Sequence, residues 1–212
     1  MSTVEHATEA HAPHGEHGDA PPTGLAALTP EQKAELDERF AQECVRRVAA
    51  DLSMITDRPF SIETVRVERV KARPAGAGVV HISFKLATQR GSEISHGAMI
   101  VPFEHAVSLG AWLLMMNDDE VARRKSSKTI DQTVKDALQE IGNFVAGACD
   151  AALRSLGVED VRVRSEGCQG VRAGVRPAFR YTEGSELVVG RARAQLGNGA
   201  PFDIITMLPP LP

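Results

Sequence analysis

Aromatic residues are scarce in this 212-residue chain, at 4% of positions with one Trp and one Tyr. Apolar residues together reach 42%, so a core can form, but it must be built from Val, Leu, Ile, Ala and Met. Cysteine is equally sparse. Cys44, Cys149 and Cys168 make no Cys-x-x-Cys pair and no metal-ligand spacing. This odd count, with no signal-peptide pattern, predicts a reducing, cytoplasmic setting. Basic residues are missing from positions 1–28, which hold Glu5, Glu9, Glu16 and Asp19. Those four acids account for the whole net charge of −4, and the remaining residues balance at 24 basic against 24 acidic. A neutral body gives no electrostatic reason to expect nucleic acid as a partner. Long apolar runs are also missing. Only Ala98–Met116 has spanning length, and Pro102, Glu104 and His105 divide it into strand plus helix, so no membrane insertion is expected. The chain has no Gly-rich phosphate loop and no Ser/His/Asp set.

What is present begins with residues 1–28, rich in Ala, His, Gly, Pro and Glu. This composition predicts a disordered tail. Its His6, His11, His14 and His17 could collect a metal ion, but no rigid scaffold fixes them, and a solvated tail is the plainer reading. Thr29-Pro30-Glu31-Gln32 is a helix start with a capping box and predicts a helix to about Leu52. Alternating runs at Ile62–Val70, Val79–Ala87 and Glu93–Val101, joined by glycine turns, predict an antiparallel meander. Helices are expected over Phe103–Met116 and from Asn117 to Lys125, with a polar linker over Lys125–Thr129. Strands resume at Val161–Ser165, Gly170–Tyr181, Glu186–Gln195 and Phe202–Leu208, and the closing LPPLP ends regular structure.

The chemistry-bearing stretch is Val134–Leu156, read as one long helix. Ala137, Leu138, Ile141, Val145, Ala148, Cys149, Ala152 and Leu156 follow helical spacing and predict one buried stripe. Asp136, Glu140 and Asn143 stand at i, i+4 and i+7 and share another face. Gly142 and Gly147 each weaken a helix interior by roughly 1 kcal/mol relative to Ala, so close approach to that surface is expected. A primary amide can accept from a water and donate to a phosphoryl oxygen. Phosphoryl transfer depends mainly on such positioning and on charge stabilisation.

The two halves of the chain look alike. Gln42-Glu43…Arg46…Val48-Ala49 parallels Gln139-Glu140…Asn143…Val145-Ala146 at an offset of 97, and Val65-Arg66-Val67 parallels Val161-Arg162-Val163 at 96. This predicts a duplicated helix-plus-three-strand unit. The expected fold is α+β, with two pseudo-symmetric halves (about 29–125 and 129–208) forming an antiparallel sheet flanked by long helices. Only the second copy carries the amide. Arg46 stands in its place in the first, and a guanidinium has no acceptor.

Asp136-xxx-Glu140-xx-Asn143, with its string Glu-Ile-Gly-Asn, resembles the signature helix of the CheC/CheX/FliY family of chemotaxis phosphatases. The pattern is that of a single-motif, CheX-like member with CheC-like duplicated halves. It departs from family usage in having Glu166 about where a proline is common. The resemblance implies a phosphatase of a phosphorylated CheY-like receiver domain. Asn143 would orient the attacking water and Glu140 would hold the receiver's active-site lysine. Asp136 and Gly147 would support partner contact. The receiver would bring Mg2+, and this chain would bind no cofactor. A homodimer is compatible with this reading. The alternative is a non-catalytic adaptor of the same fold, as in flagellar switch proteins. A third reading, cyclic-dinucleotide binding through Arg172 and Arg176, lacks its companion segment. Alternating arginines on exposed strand faces, including Arg162, Arg164, Arg191 and Arg193, explain that composition more simply.

Overall fold

A computed structural model describes residues 24–127 and 130–212. The four tail histidines and part of the expected linker lie outside the described residues. The tail expectation is corrected at its end. Gly24–Ala27 forms a 3-10 turn, and Leu25 is buried in the core. Leu25 joins the main buried cluster, which a polar side chain could not do without loss.

Helix α1 (Pro30–Thr56) begins with the expected box: Thr29 Oγ1 accepts from Gln32 N at 3.2 Å, and Gln32 Oε1 accepts from Thr29 N at 2.9 Å. It ends at Asp57, which adopts the left-handed conformation. Strands β1 (Phe60–Val70), β2 (His81–Arg90) and β3 (Glu93–Pro102) follow, then α2 (Phe103–Leu113), α3 (Asp118–Ser126) and α4 (Gln132–Ser155). Strands β4 (Val161–Val171), β5 (Leu187–Leu196) and β6 (Phe202–Leu208) complete the order. The long helix thus starts two residues before its expected first residue, because Asp131 provides the N-cap, accepting from Val134 N at 2.9 Å.

All six strands form one antiparallel sheet in the order β1-β5-β6-β3-β2-β4. Reversing that order while exchanging the halves returns it unchanged. Each half therefore contributes its first strand to an outer edge, beside the second strand of the other half. Both edge strands are also bulged, β1 near Glu63 and β4 near Gly167. The α+β, pseudo-symmetric architecture expected from the repeat is the one present.

The helices cover one face of the sheet. Phe40, Cys44 and Val48 of α1 and Ile141, Val145 and Cys149 of α4 join Phe84, Leu86, Met99 and Ile204 in the main core. Ile100, Leu187, Val189, Ile205 and Met207 form a smaller cluster that also packs Phe179 and Tyr181. Both rings belong to the β4–β5 connection, and Arg73 lies 5.7 Å and 5.3 Å from their centroids. Of the strand expected over Gly170–Tyr181 only Gly170 and Val171 are in a strand, as the end of β4. β4 runs unbroken to Val171, which pairs with His81, the first residue of β2. Beyond Val171 there is no partner strand to continue the ladder. Arg172 and Arg176 accordingly lie exposed on a loop, whereas Arg191 and Arg193 stand on β5 and pair with Glu68 and Asp203. Among the described residues no helix is long and apolar enough to cross a membrane.

Candidate functional site

Seven of the eight stripe residues expected on α4 are buried, and Leu156 is partly buried at the C-cap. Opposing contacts fix the helix's rotation. A Cβ on Gly142 would meet Ser165 Oγ at 3.3 Å and Phe84 Cδ1 at 3.5 Å, so this glycine lets α4 settle on β4 and β2. The close approach expected at Gly142 is thus made by the protein's own sheet. Asp150 ties the other end down: its Oδ1 accepts from Val163 N at 3.0 Å, and its second oxygen pairs with Arg154. At the N-terminal end, the N-cap Asp131 is ion-paired with Arg124 of α3. α2 lies close along the same end, where a Cβ on Gly110 would stand 3.6 Å from Ala137 Cβ.

With the stripe buried, the opposite face is turned to solvent. Asp136, Glu140, Asn143, Phe144 and Gly147 are all exposed. Asn143 Nδ2 donates to Glu140 Oε2 at 3.2 Å, and Gln132 Nε2 donates to Asp136 Oδ1 at 2.7 Å. The Asn143 amide keeps a second N–H and its carbonyl oxygen for other partners. Nothing stands within 4 Å of where a Cβ on Gly147 would lie. Asp136, Glu140, Asn143 and Gly147 therefore share one accessible helix face. Arg46, at the equivalent position of α1, is exposed as well.

The same face borders a hollow of about 410 Å³. Its walls are Leu113 and Leu114 from the end of α2 and Thr133, Asp136, Ala137, Glu140 and Phe144 from α4. Sequence reasoning passed over Phe144 and Leu114. Phe144 had a signal, since it stands four residues after Glu140 and off the buried stripe. Leu114 had none, because its place depends on how α2 packs. A larger groove of about 1400 Å³ between α2, α3 and the β5–β6 turn contains none of the expected site residues. In it, His105 stacks on Phe202 with ring centroids 3.7 Å apart, and burial holds its imidazole below the ordinary pKa. Among the described residues no three His, Cys, Asp or Glu side chains are grouped to hold a metal ion.

No protein-family model matches the chain, and no curated protein matches its sequence. Solved structures do match it by shape. FliY of Thermotoga maritima superposes with a TM-score of 0.60 at 14% identity, over 86% of this chain and 91% of that one. The FliM middle domain of H. pylori gives 0.57 at 10% identity, over 86% and 94%. The chemotaxis protein CheX of Vibrio vulnificus gives 0.50 at 15% identity, over 79% and 96%. With its sheet order, its paired long helices and these likenesses, the chain has the CheC/CheX/FliY-type fold, which the FliM middle domain shares.

Proposed function

We propose that this protein dephosphorylates the aspartyl phosphate of a CheY-like response-regulator receiver domain. The observation that carries the reading is the exposed, hydrogen-bonded Glu140–Asn143 pair on a helix whose rotation is fixed from behind. When the receiver docks, the Asn143 carbonyl accepts a hydrogen bond from the attacking water, and its free N–H donates to a phosphoryl oxygen. The water oxygen bonds to phosphorus, the phosphorus–oxygen bond to the aspartyl carboxylate breaks with its electron pair going to the carboxylate, and both protons of the water leave on the phosphate as dihydrogen phosphate. Glu140 pairs with the receiver's lysine and, through its bond from Asn143, holds the amide in place. Asp136 and Gly147 flank that contact. Mg2+ comes with the receiver and supplies charge neutralisation at the phosphoryl oxygens.

A non-catalytic adaptor is the second reading, and the FliM likenesses favour it. H. pylori FliM structures of similar shape, with TM-scores of 0.55 and 0.54, are of FliG–FliM and FliM–SpeE complexes. Phosphate release from phosphorylated receiver domains separates the two. Wild type should accelerate release and Asn143→Ala should lose at least a hundredfold of that acceleration, a size typical of removing one positioning group. Equal rates for both proteins reject catalysis by Asn143. Binding by both without turnover establishes the adaptor.

A further inference from the structure

Water positioning leaves the apolar part of the site without a role. Among the described residues eight large hydrophobic side chains are exposed, and Leu114, Met115 and Phe144 are three of them. Leu114 and Phe144 wall the hollow beside Glu140, at 39% and 38% exposure. Met115 follows Leu114 at 92% exposure, with a left-handed φ of 57°. Its N–H bonds to Trp112 O, and the next N–H to Ala111 O, so it ends α2 where glycine is the usual residue. A non-glycine side chain in that conformation is strained, and here it leaves a long apolar group in solvent one residue after Leu114.

The charged side chains among the described residues lining the hollow are of one sign. Asp136 and Glu140 lie on its α4 wall, one turn apart, and among the described residues no basic residue lines it. Leu113, Leu114, Ala137 and Phe144 supply the rest, with Thr133. Gln132 holds one oxygen of Asp136. An aliphatic occupant would desolvate two carboxylates without compensation, and an acidic one would be repelled. A side chain with an apolar stem and a cationic head satisfies both parts: the stem packs on Leu114 and Phe144, and the head meets Asp136.

We propose that this hollow is a second docking pocket, taking a lysine or arginine of the receiver other than the lysine assigned to Glu140. The proposal rests on the receiver reading and adds what selects the partner. Glu140 is joined to Asn143 at the reacting centre, whereas Asp136 stands one turn away, about 5–6 Å along the face. One cation at each carboxylate fixes the receiver's rotation over the amide.

The test uses the full chain, phosphorylated receiver domains and the variants Asp136→Asn and Phe144→Ser, with thermal melts to confirm folding. If wild type turns the receiver over, both variants should raise KM about tenfold, with the loss in KM rather than in kcat. Asp136→Asn should also flatten the dependence of KM on salt. Unchanged KM in both variants overturns the pocket and leaves the phosphatase reading standing. A rise with Phe144→Ser alone makes the occupant apolar and overturns the cationic one. If wild type turns over no receiver, the phosphatase reading fails, and amide NMR shifts with n-butylammonium chloride judge the pocket. Shifts at Ala137, Glu140 and Phe144 that vanish in Asp136→Asn and do not appear with sodium butyrate support it. No shifts, or equal shifts with both probes, overturn it.

Discussion

Replacing Gly147 by alanine should make the protein more stable and less active, and the two effects have separate origins. Gly147 lies inside α4 on its exposed face, and an added Cβ meets no atom within 4 Å. The folded state therefore gains helix propensity with no steric charge against it, about 0.8–1 kcal/mol. For a chain of this size that raises the melting temperature by roughly 2–4 °C. Gly142→Ala is the internal control. Its Cβ would crowd Ser165 Oγ at 3.3 Å, a hydroxyl that accepts from Gly167 N at 3.2 Å, so the propensity gain is offset and the melt should not rise. On function, Gly147 stands four residues after Asn143 on the same face, and a methyl there intrudes on a partner that covers the amide. We expect kcat/KM toward the phosphorylated receiver to fall about tenfold, equal to about 1.4 kcal/mol of lost docking. Circular-dichroism melts and phosphate-release assays on the two alanine variants and wild type decide it. A stabilised Gly147→Ala with unchanged kcat/KM removes Gly147 from the docking face. A variant that is not stabilised refutes the account of α4 as a solvent-exposed helix at that point.

Met115→Gly should stabilise the fold by about 0.5–1 kcal/mol, because relief of the left-handed strain exceeds glycine's greater unfolded-state entropy; chemical denaturation with an unchanged m-value measures it. Asp150→Ala should cost about 2 kcal/mol, since it strips the buried Val163 N–H of a charged acceptor; a smaller loss than 0.5 kcal/mol in the same assay would contradict that tie between α4 and β4. Burial lowers the pKa of His105, outweighing Glu104, and burial lowers that of His81 in the same direction. The unfolded chain then binds more protons than the folded one as pH falls below the ordinary value of 6.5, so stability should decline from about there downward until the lowered folded values are passed. NMR titration should place the His105 midpoint under 6.5, and His105→Phe should flatten the decline; a midpoint above 6.5 would refute the burial argument.

Where local chemistry decides, the sequence is readable. The Thr29–Gln32 box, the stripe of α4 and the turn glycines act within a few residues of themselves, and each has its expected result. The spacing of Glu140 and Asn143 likewise requires the shared face on which their side chains meet. What depends on distant neighbours is not readable. Arg172-Ala-Gly-Val-Arg176 alternates like a strand, yet β2 begins at His81 and leaves it unpaired. Leu25 stands in a stretch of Pro, Gly and Ala with no helical or strand period, yet it finds the core. Gly142 and Gly147 look equivalent in sequence, five residues apart in one helix. One faces Ser165 and Phe84 and the other open space, and only the packed sheet tells them apart. The hollow beside Glu140 belongs to the same class, because its second wall comes from α2.

The duplication allows the two long helices to be compared position by position. Within each half the helix precedes three strands, and the chain leaving the third strand runs back over the helix of the other half. After β3 that chain is α2, which packs on the N-terminal part of α4 and leaves Leu113 and Leu114 as a wall of the hollow. After β6 it is 209–212, which runs to the N-terminal part of α1. There Leu211 is buried, and its N–H donates to Asp37 Oδ1 at 2.7 Å. Asp37 is also paired with Arg69 at 2.6 Å, and its burial raises the carboxyl pKa even though Leu211 and Arg69 act against the rise. Asp37 is thereby committed to an internal network; at the offset of 97 it matches buried Val134, while Arg39, Glu43 and Arg46 hold the places of Asp136, Glu140 and Asn143. Arg46 stands where the amide would be, unable to accept from a water. At these matched positions only α4 carries an acid three residues before an amide, on a face open to solvent.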